Sequence, residues 1–163
     1  LKVKINPDNG LNLKLIFFVS LHMNIHFLLL DATHILEIIP LIQDFTSNKF
    51  SDQILEQRFA EMFTQNYECV GVYDGDQLIG ITGLWYQTRH YAGKSCETDH
   101  VYIAPSYRSK KIGEQLFAFI ERHARGKGCE AVELNTYVQN ASSHKFYYNA
   151  GFNIIGFHFA KYF

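Results

Sequence analysis

Three cations stand close together in the stretch V-Y-I-A-P-S-Y-R-S-K-K-I-G: Arg108, Lys110 and Lys111. An apolar run, Val101, Tyr102 and Ile103, leads into them through Ala104-Pro105, and a strongly periodic segment follows. Ile112, Leu116, Phe119, Ile120 and His123 fall on one helical face. The order is therefore strand, basic loop, helix start. A helix start leaves backbone N–H groups without partners at the positive end of the helix dipole, which favours an anion. With the cations beside it, the natural ligand is a phosphate or pyrophosphate. A solvated turn is the plain alternative for the same residues. The patterns G-x-x-x-x-G-K-[ST] and G-x-G-x-x-G are both absent, which argues against a nucleotide triphosphatase and a Rossmann dinucleotide site.

A chain of 163 residues is long enough for one domain with a real core, and 47% hydrophobic residues suit a globular protein. A formal charge of -1 supplies no general field for nucleic acid or an acidic membrane, so neither is expected as a partner. The cations near Arg108 thus read as a site. Cys69, Cys96 and Cys129 are odd in number and show no C-x-x-C, so neither a disulfide framework nor a metal site is expected, and a cytoplasmic setting is the default. Residues 1–22 stand apart. They read either as an extra hairpin around N-P-D-N-G or as an extension ahead of a domain that begins near Met23 and runs to residue 163.

The positioning elements read as follows. Asn24–Leu30 is a strand. Asp31 or Thr33 caps a helix carrying Ile35, Ile38, Ile39 and Ile42, which Pro40 should kink or shorten. A second helix starts at Ser51 or Asp52. Tyr67–Tyr73 and Gln77–Thr88 are strands joined by the D-G-D hairpin signal, with Gly80 and Gly83 as bulge points. Ser95–Ala104 is the next strand, followed by a helix from Ile112 to Arg125, a strand over 131–137, a short helix over 140–150 and a last strand over 152–163. The class is mixed α/β (α+β), in the order β-α-α-β-β-β-α-β-α-β, with an antiparallel meander before a parallel crossover.

At this point the residues resemble a known family. I-A-P-S-Y-R-S-K-K-I-G is similar to the acyl-CoA loop of the GNAT superfamily, the acetyl-CoA-dependent N-acetyltransferases, whose loop reads roughly V-x-P-x-x-[RQ]-x-x-G-x-[GA]. Ile103, Pro105, Arg108 and Gly113 match. N-A-S-S-H-K-F-Y-Y-N-A-G-F resembles the later pattern N-x-x-[AS]-x-x-[FL]-Y-x-x-x-G-F, with matches at Asn140, Ser143, Phe146, Tyr147, Gly151 and Phe152. The resemblance covers the chain from about Met23. It departs at Lys111, which stands where the loop's first glycine would give the backbone unusual freedom.

The resemblance implies the GNAT fold, with acetyl-CoA as cosubstrate and an amine as acceptor. It assigns the pyrophosphate to backbone groups of Arg108, Ser109, Lys110, Lys111, Ile112 and Gly113. It assigns the pantetheine arm to the backbone of Val101, Tyr102 and Ile103, with Asn140 as a further hydrogen-bond partner that could equally be a helix N-cap. N-acetylation needs a neutral amine, so a base must take a proton from the acceptor. Glu97 is the first candidate, at a strand position where some members carry a catalytic glutamate. Asp99 shares its face if the strand is regular, and two carboxylates there would attract a cationic amine. Tyr147 matches the tyrosine that protonates the leaving thiolate in many members. Trp85, Tyr86 and Tyr91 could line an acceptor pocket or belong to the core. The expected acceptor is a small-molecule amine. A protein amino group is the alternative substrate, and a non-catalytic acyl-CoA-binding module the alternative function. Many members are dimers, so the resemblance also admits a homodimer.

Overall fold

A computed structural model describes residues 23–163. The two readings of residues 1–22 lie outside that range. Five strands form one sheet in the order β1-β2-β3-β4-β5: β1 Ile25–Leu30, β2 Tyr67–Asp74, β3 Gln77–Arg89, β4 Gly93–Ile103 and β5 Ala131–Leu134. The first four pair antiparallel, and β4 pairs parallel with β5. The helices are α1 Ile35–Thr46, α2 Asp52–Met62, α3 Ile112–Gly126 and α4 Ala141–Asn149.

Side-chain alternation along the strands supplies two cores, one on each face of the sheet. On one face α1 and α2 bury Ile38, Ile39, Ile42, Leu55 and Phe59 against Tyr67, Cys69, Ile81 and Tyr102. On the other, α3 lays Ile112, Leu116, Ile120 and Ala124 over Val70, Val72, Ile79, Leu84 and Cys96. Ser51 caps α2 as expected, accepting from the Ile54 N–H at 3.4 Å. Asp31 accepts from the Thr33 N–H at 2.9 Å, but it caps a 3₁₀ turn, Ala32–His34, that leads into α1. The N-cap of α1 itself, His34, makes no side-chain cap. Pro40 lies within α1 without ending it. Pro40 and Leu36, whose carbonyl its missing N–H would have served, are both on the exposed side of the helix, where water can take that carbonyl.

Both predicted bulge points are real. Register shifts between Val72 and Tyr73 opposite Leu78–Gly80, and again where Gly83 pairs with Asp99 but Ile81 pairs with Tyr102. The second shift gives β4 one extra residue, and both Asp99 and His100 then face the α1/α2 side. This irregularity also ends the β4–β5 ladder, which runs only from Ser95↔Ala131 to Thr98↔Leu134. β5 is accordingly shorter than the expected 131–137, having no partner past Thr98.

The expected last strand is a correction. Residues 152–163 form no strand. A strand needs a neighbour's ladder and an apolar face to bury its alternate side chains. Here Ile154, Ile155, Phe157 and Phe159 stand 63–91% exposed, and Gly156 interrupts the run.

Candidate active site

The basic loop lies between a 3₁₀ turn, Pro105–Tyr107, and the first turn of α3. Ser109 and Lys111 both take left-handed backbone, each with φ +61°. Left-handed residues alternating with ordinary ones turn successive N–H groups toward one side, the geometry that cradles an anion. Lys111 therefore keeps the conformation its glycine-like position calls for, although a side chain makes that conformation costly. It is also the N-cap of α3 and makes no side-chain cap, so the first N–H groups of the helix remain available.

The three cations are not alike. Arg108 donates from Nε to the Ile103 carbonyl at 2.9 Å and lays its guanidinium over the Tyr102 ring, tying the loop to β4. Lys110 stands over the Tyr107 ring, 5.0 Å from its centroid. Lys111 is exposed.

Upstream of the loop, Val101, Tyr102 and Ile103 are core residues by side chain: Tyr102 belongs to the α1/α2 core, and the other two pack on the α3 side. Their strand has lost its β5 partner by this point, so polar backbone groups on that edge are open. The open edge runs directly into the loop.

Glu97 sits at the last stretch of full pairing, opposite Trp85 on β3 and Glu133 on β5. Three donors hold its carboxylate. Gln87 and Arg89 reach Oε2 at 2.8 and 2.9 Å, and Asn135 reaches Oε1 at 2.6 Å. Arg89 also donates to both oxygens of Glu133 at 3.1 Å and to the Tyr91 hydroxyl at 3.0 Å. Sequence reasoning named Glu97 but missed this clamp. Opposite charges at Arg89 and Glu133 carry no signal until the register sets the strands side by side. Asp99 does share the face of Glu97, and lies beside Trp85 and His100. Tyr86, grouped with Trp85 and Tyr91 above, faces the other way and donates to Glu68 at 2.8 Å.

Tyr147 projects from α4 into an aromatic group. Its ring lies 5.7 Å from Phe117, 5.4 Å from Phe146 and 5.9 Å from Phe152, all edge-on. Gly113 makes that approach possible, since a Cβ there would stand 3.2 Å from the Phe146 ring. Burial raises the Tyr147 pKa above the usual phenol range, so the hydroxyl keeps its proton at neutral pH. Asn140 is the N-cap of α4: its Oδ1 accepts from the Ser143 N–H at 3.3 Å and from the Ser142 hydroxyl at 3.0 Å. Burial pushes the Cys69 and Cys96 thiols up to about 12, which keeps both protonated and poor nucleophiles.

Residues 35–152 match the profile of the acetyltransferase (GNAT) family. The chain is similar to the aminoalkylphosphonate N-acetyltransferase of Salmonella typhimurium, with 29% identity over 123 residues, 74% of this chain and 80% of that one. Among solved structures it is similar to an aminoglycoside N-acetyltransferase in complex with CoA, at a TM-score of 0.77 and 16% identity, covering 88% of this chain and 97% of the other. A ribosomal-protein-alanine N-acetyltransferase from Brucella melitensis biovar Abortus 2308 superposes with a TM-score of 0.72 at 17% identity, covering 85% and 99%. At those identities the structural likeness is one of fold.

Proposed function

The chain belongs to the acetyltransferase (GNAT) family, and we propose that it transfers the acetyl group of acetyl-CoA to the primary amine of a small molecule. The observation that carries this reading is the continuity of the open β4 edge with the left-handed loop at the start of α3. An extended arm can lie along that edge while its diphosphate meets the N–H groups of Arg108–Gly113. The left-handed backbone of Lys111 fits the group, because it keeps the glycine-like turn and adds an ammonium. Asn140 is proposed to serve the arm as well as cap α4.

In the proposed reaction the neutral amine nitrogen attacks the thioester carbonyl carbon and the C–S bond breaks. The departing thiolate takes a proton from the Tyr147 hydroxyl, which recovers it from solvent. Glu97 is proposed to take the amine's proton through water, since its oxygens are already met by Gln87, Arg89 and Asn135. Holding amine and thioester together supplies much of the acceleration. A small acceptor accords with the likeness to an aminoalkylphosphonate acetyltransferase and to an aminoglycoside acetyltransferase.

Thermal unfolding with acetyl-CoA, free CoA and ATP tests the cosubstrate. A ligand at ~100 times its Kd adds about 2.7 kcal/mol to the folded state. Both CoA forms should raise the melting temperature and ATP should do little. CoA release across a panel of small amines and peptide N-termini then tests the acceptor. No rise with either CoA form would sink the reading, and turnover confined to peptides would replace the small molecule with a protein.

A further inference from the structure

The bulge in β4 builds an arrangement that the reaction above does not use. Asp99 is the first residue past the end of the β4–β5 ladder and is 57% exposed, while the next side chain, His100, is only 8% exposed. His100 has φ +37°, and its ring fits beneath the sheet surface because residue 83 is glycine. A Cβ there would overlap the imidazole and stand 2.6 Å from the Tyr67 ring. Phe59 meets the imidazole edge-on at 5.7 Å. Nε2 lies 3.1 Å from the Tyr67 hydroxyl and Nδ1 lies 3.3 Å from Asp99 Oδ2. The His100 backbone N–H donates to Asp99 Oδ1 at 2.7 Å.

These contacts accord with one tautomer of a neutral imidazole. Burial pushes the Tyr67 phenol far above its ordinary range, so it keeps its proton and can donate to Nε2. With Nε2 accepting, a neutral ring carries its proton on Nδ1, the nitrogen on the Asp99 side. The His100 backbone N–H donates to one Asp99 oxygen, the imidazole lies against the other, and the Trp85 side chain is a further hydrogen-bond partner, while the carboxylate stays exposed enough for a ligand to reach. The hydrogen bond from the His100 side chain holds the Asp99 carboxyl below the usual carboxylate range. An ionised carboxylate of that kind is a weak base and a good anchor.

Resting on the proposed transfer to a small amine, we infer that Asp99 binds the acceptor as an ammonium ion at the mouth of the opened strands. His100 is its positioning residue, and Tyr67 sets the imidazole tautomer. The acceptor class is then an organic cation without a neighbouring anionic group. An anion on the acceptor would meet Asp99, Glu97 and Glu133, and the Arg89 guanidinium between them is already paired with both glutamates.

Trp85, the single tryptophan of the chain, packs beside Asp99 and gives one indole N–H resonance for the test. The probes are 1,4-diaminobutane, 1,4-butanediol and 2-aminoethylphosphonate, titrated into the full chain with acetyl-CoA binding followed in the same samples by melting temperature. The diamine should shift the Trp85 signal saturably, and the diol and the phosphonate should bind at least about tenfold more weakly. Asp99→Asn should weaken the diamine about tenfold or more, the scale of a charge-assisted hydrogen bond, and leave the acetyl-CoA shift in place. His100→Asn keeps an N–H donor and tolerates left-handed backbone, so it should bind within about threefold of wild type, whereas His100→Leu should not. Tyr67→Phe should move the imidazole proton, visible in the His100 ring ¹⁵N shifts. Equal diamine affinity in Asp99→Asn, or phosphonate binding as tight as the diamine, overturns the assignment. A missing acetyl-CoA shift with the diamine result intact overturns the cosubstrate reading instead.

Discussion

The hydroxyl of Tyr147 is kept protonated by the aromatic group that surrounds it, which is the state a proton donor needs at neutral pH. Tyr147→Phe preserves the ring packing and removes only that hydroxyl. The expected result is a fall in kcat of about 100-fold, the lower range for a positioned acid, with acetyl-CoA affinity changed by less than about threefold. Steady-state kinetics beside equilibrium binding decide it, and an unchanged kcat removes Tyr147 from the chemistry. Lys111 offers a second test at this scale. Its left-handed backbone costs a non-glycine residue roughly 1–2 kcal/mol, part of which glycine returns through its own freedom in the unfolded chain. Lys111→Gly should therefore stabilise the protein by about 0.5–1 kcal/mol, read from urea unfolding. Acetyl-CoA binding should survive the change, because the proposed cradle is made by the backbone and not by the ammonium.

At the scale of elements, β4 does most to shape the site. One extra residue in it ends the parallel ladder, frees an edge, and puts Asp99 and His100 on the same face. Gly83 on β3 is the condition for that bulge, because the space above it is filled by the rings of His100 and Tyr67. Gly83→Ala should destabilise the fold by about 1–3 kcal/mol, the usual cost of overpacking a buried site. It should also disturb the Trp85 resonance before any ligand is added. A loss of stability below about 0.5 kcal/mol would mean that the imidazole moves aside at little cost. Gly113 plays a comparable part between helices, since its missing side chain lets Phe146, and Tyr147 with it, close on the first turn of α3.

For the whole molecule, the two faces of the sheet are joined to their helices differently. The α1/α2 side is mostly apolar packing, whereas α3 is also tied to the sheet through Glu68, whose carboxylate meets His123 at 2.7 Å, Tyr86 at 2.8 Å and the Lys127 ammonium. Burial acts to raise the Glu68 pKa, but the hydrogen bonds from Lys127, His123 and Tyr86 outweigh it and leave the group below its usual range. A carboxyl depressed in the folded state contributes stability above its unfolded pKa, and loses it as pH falls through the folded value. The urea midpoint should thus fall as pH drops below about 4.5. Glu68→Gln should be less stable than wild type at pH 7, with the gap closing in acid; a gap that stays constant with pH would show that the carboxylate's charge contributes nothing.

The sequence by itself determined what is local. The caps at Asp31 and Ser51, the periodic face of α3, the D-G-D turn and the basic loop each depend on residues a few positions apart, and the two motif blocks fall on the loop and on α4 where they were read. The tertiary structure decided what depends on register. Glu97, Arg89, Gln87, Glu133 and Asn135 come from three strands and the segment after one of them, and become a clamp only when one pairing is chosen. His100 becomes the partner of Tyr67 only because a bulge turns it inward. The apolar run over 152–163 shows the same limit from the other side. Its composition suits a strand, but a strand is completed by a neighbouring ladder, and that information does not lie within the segment.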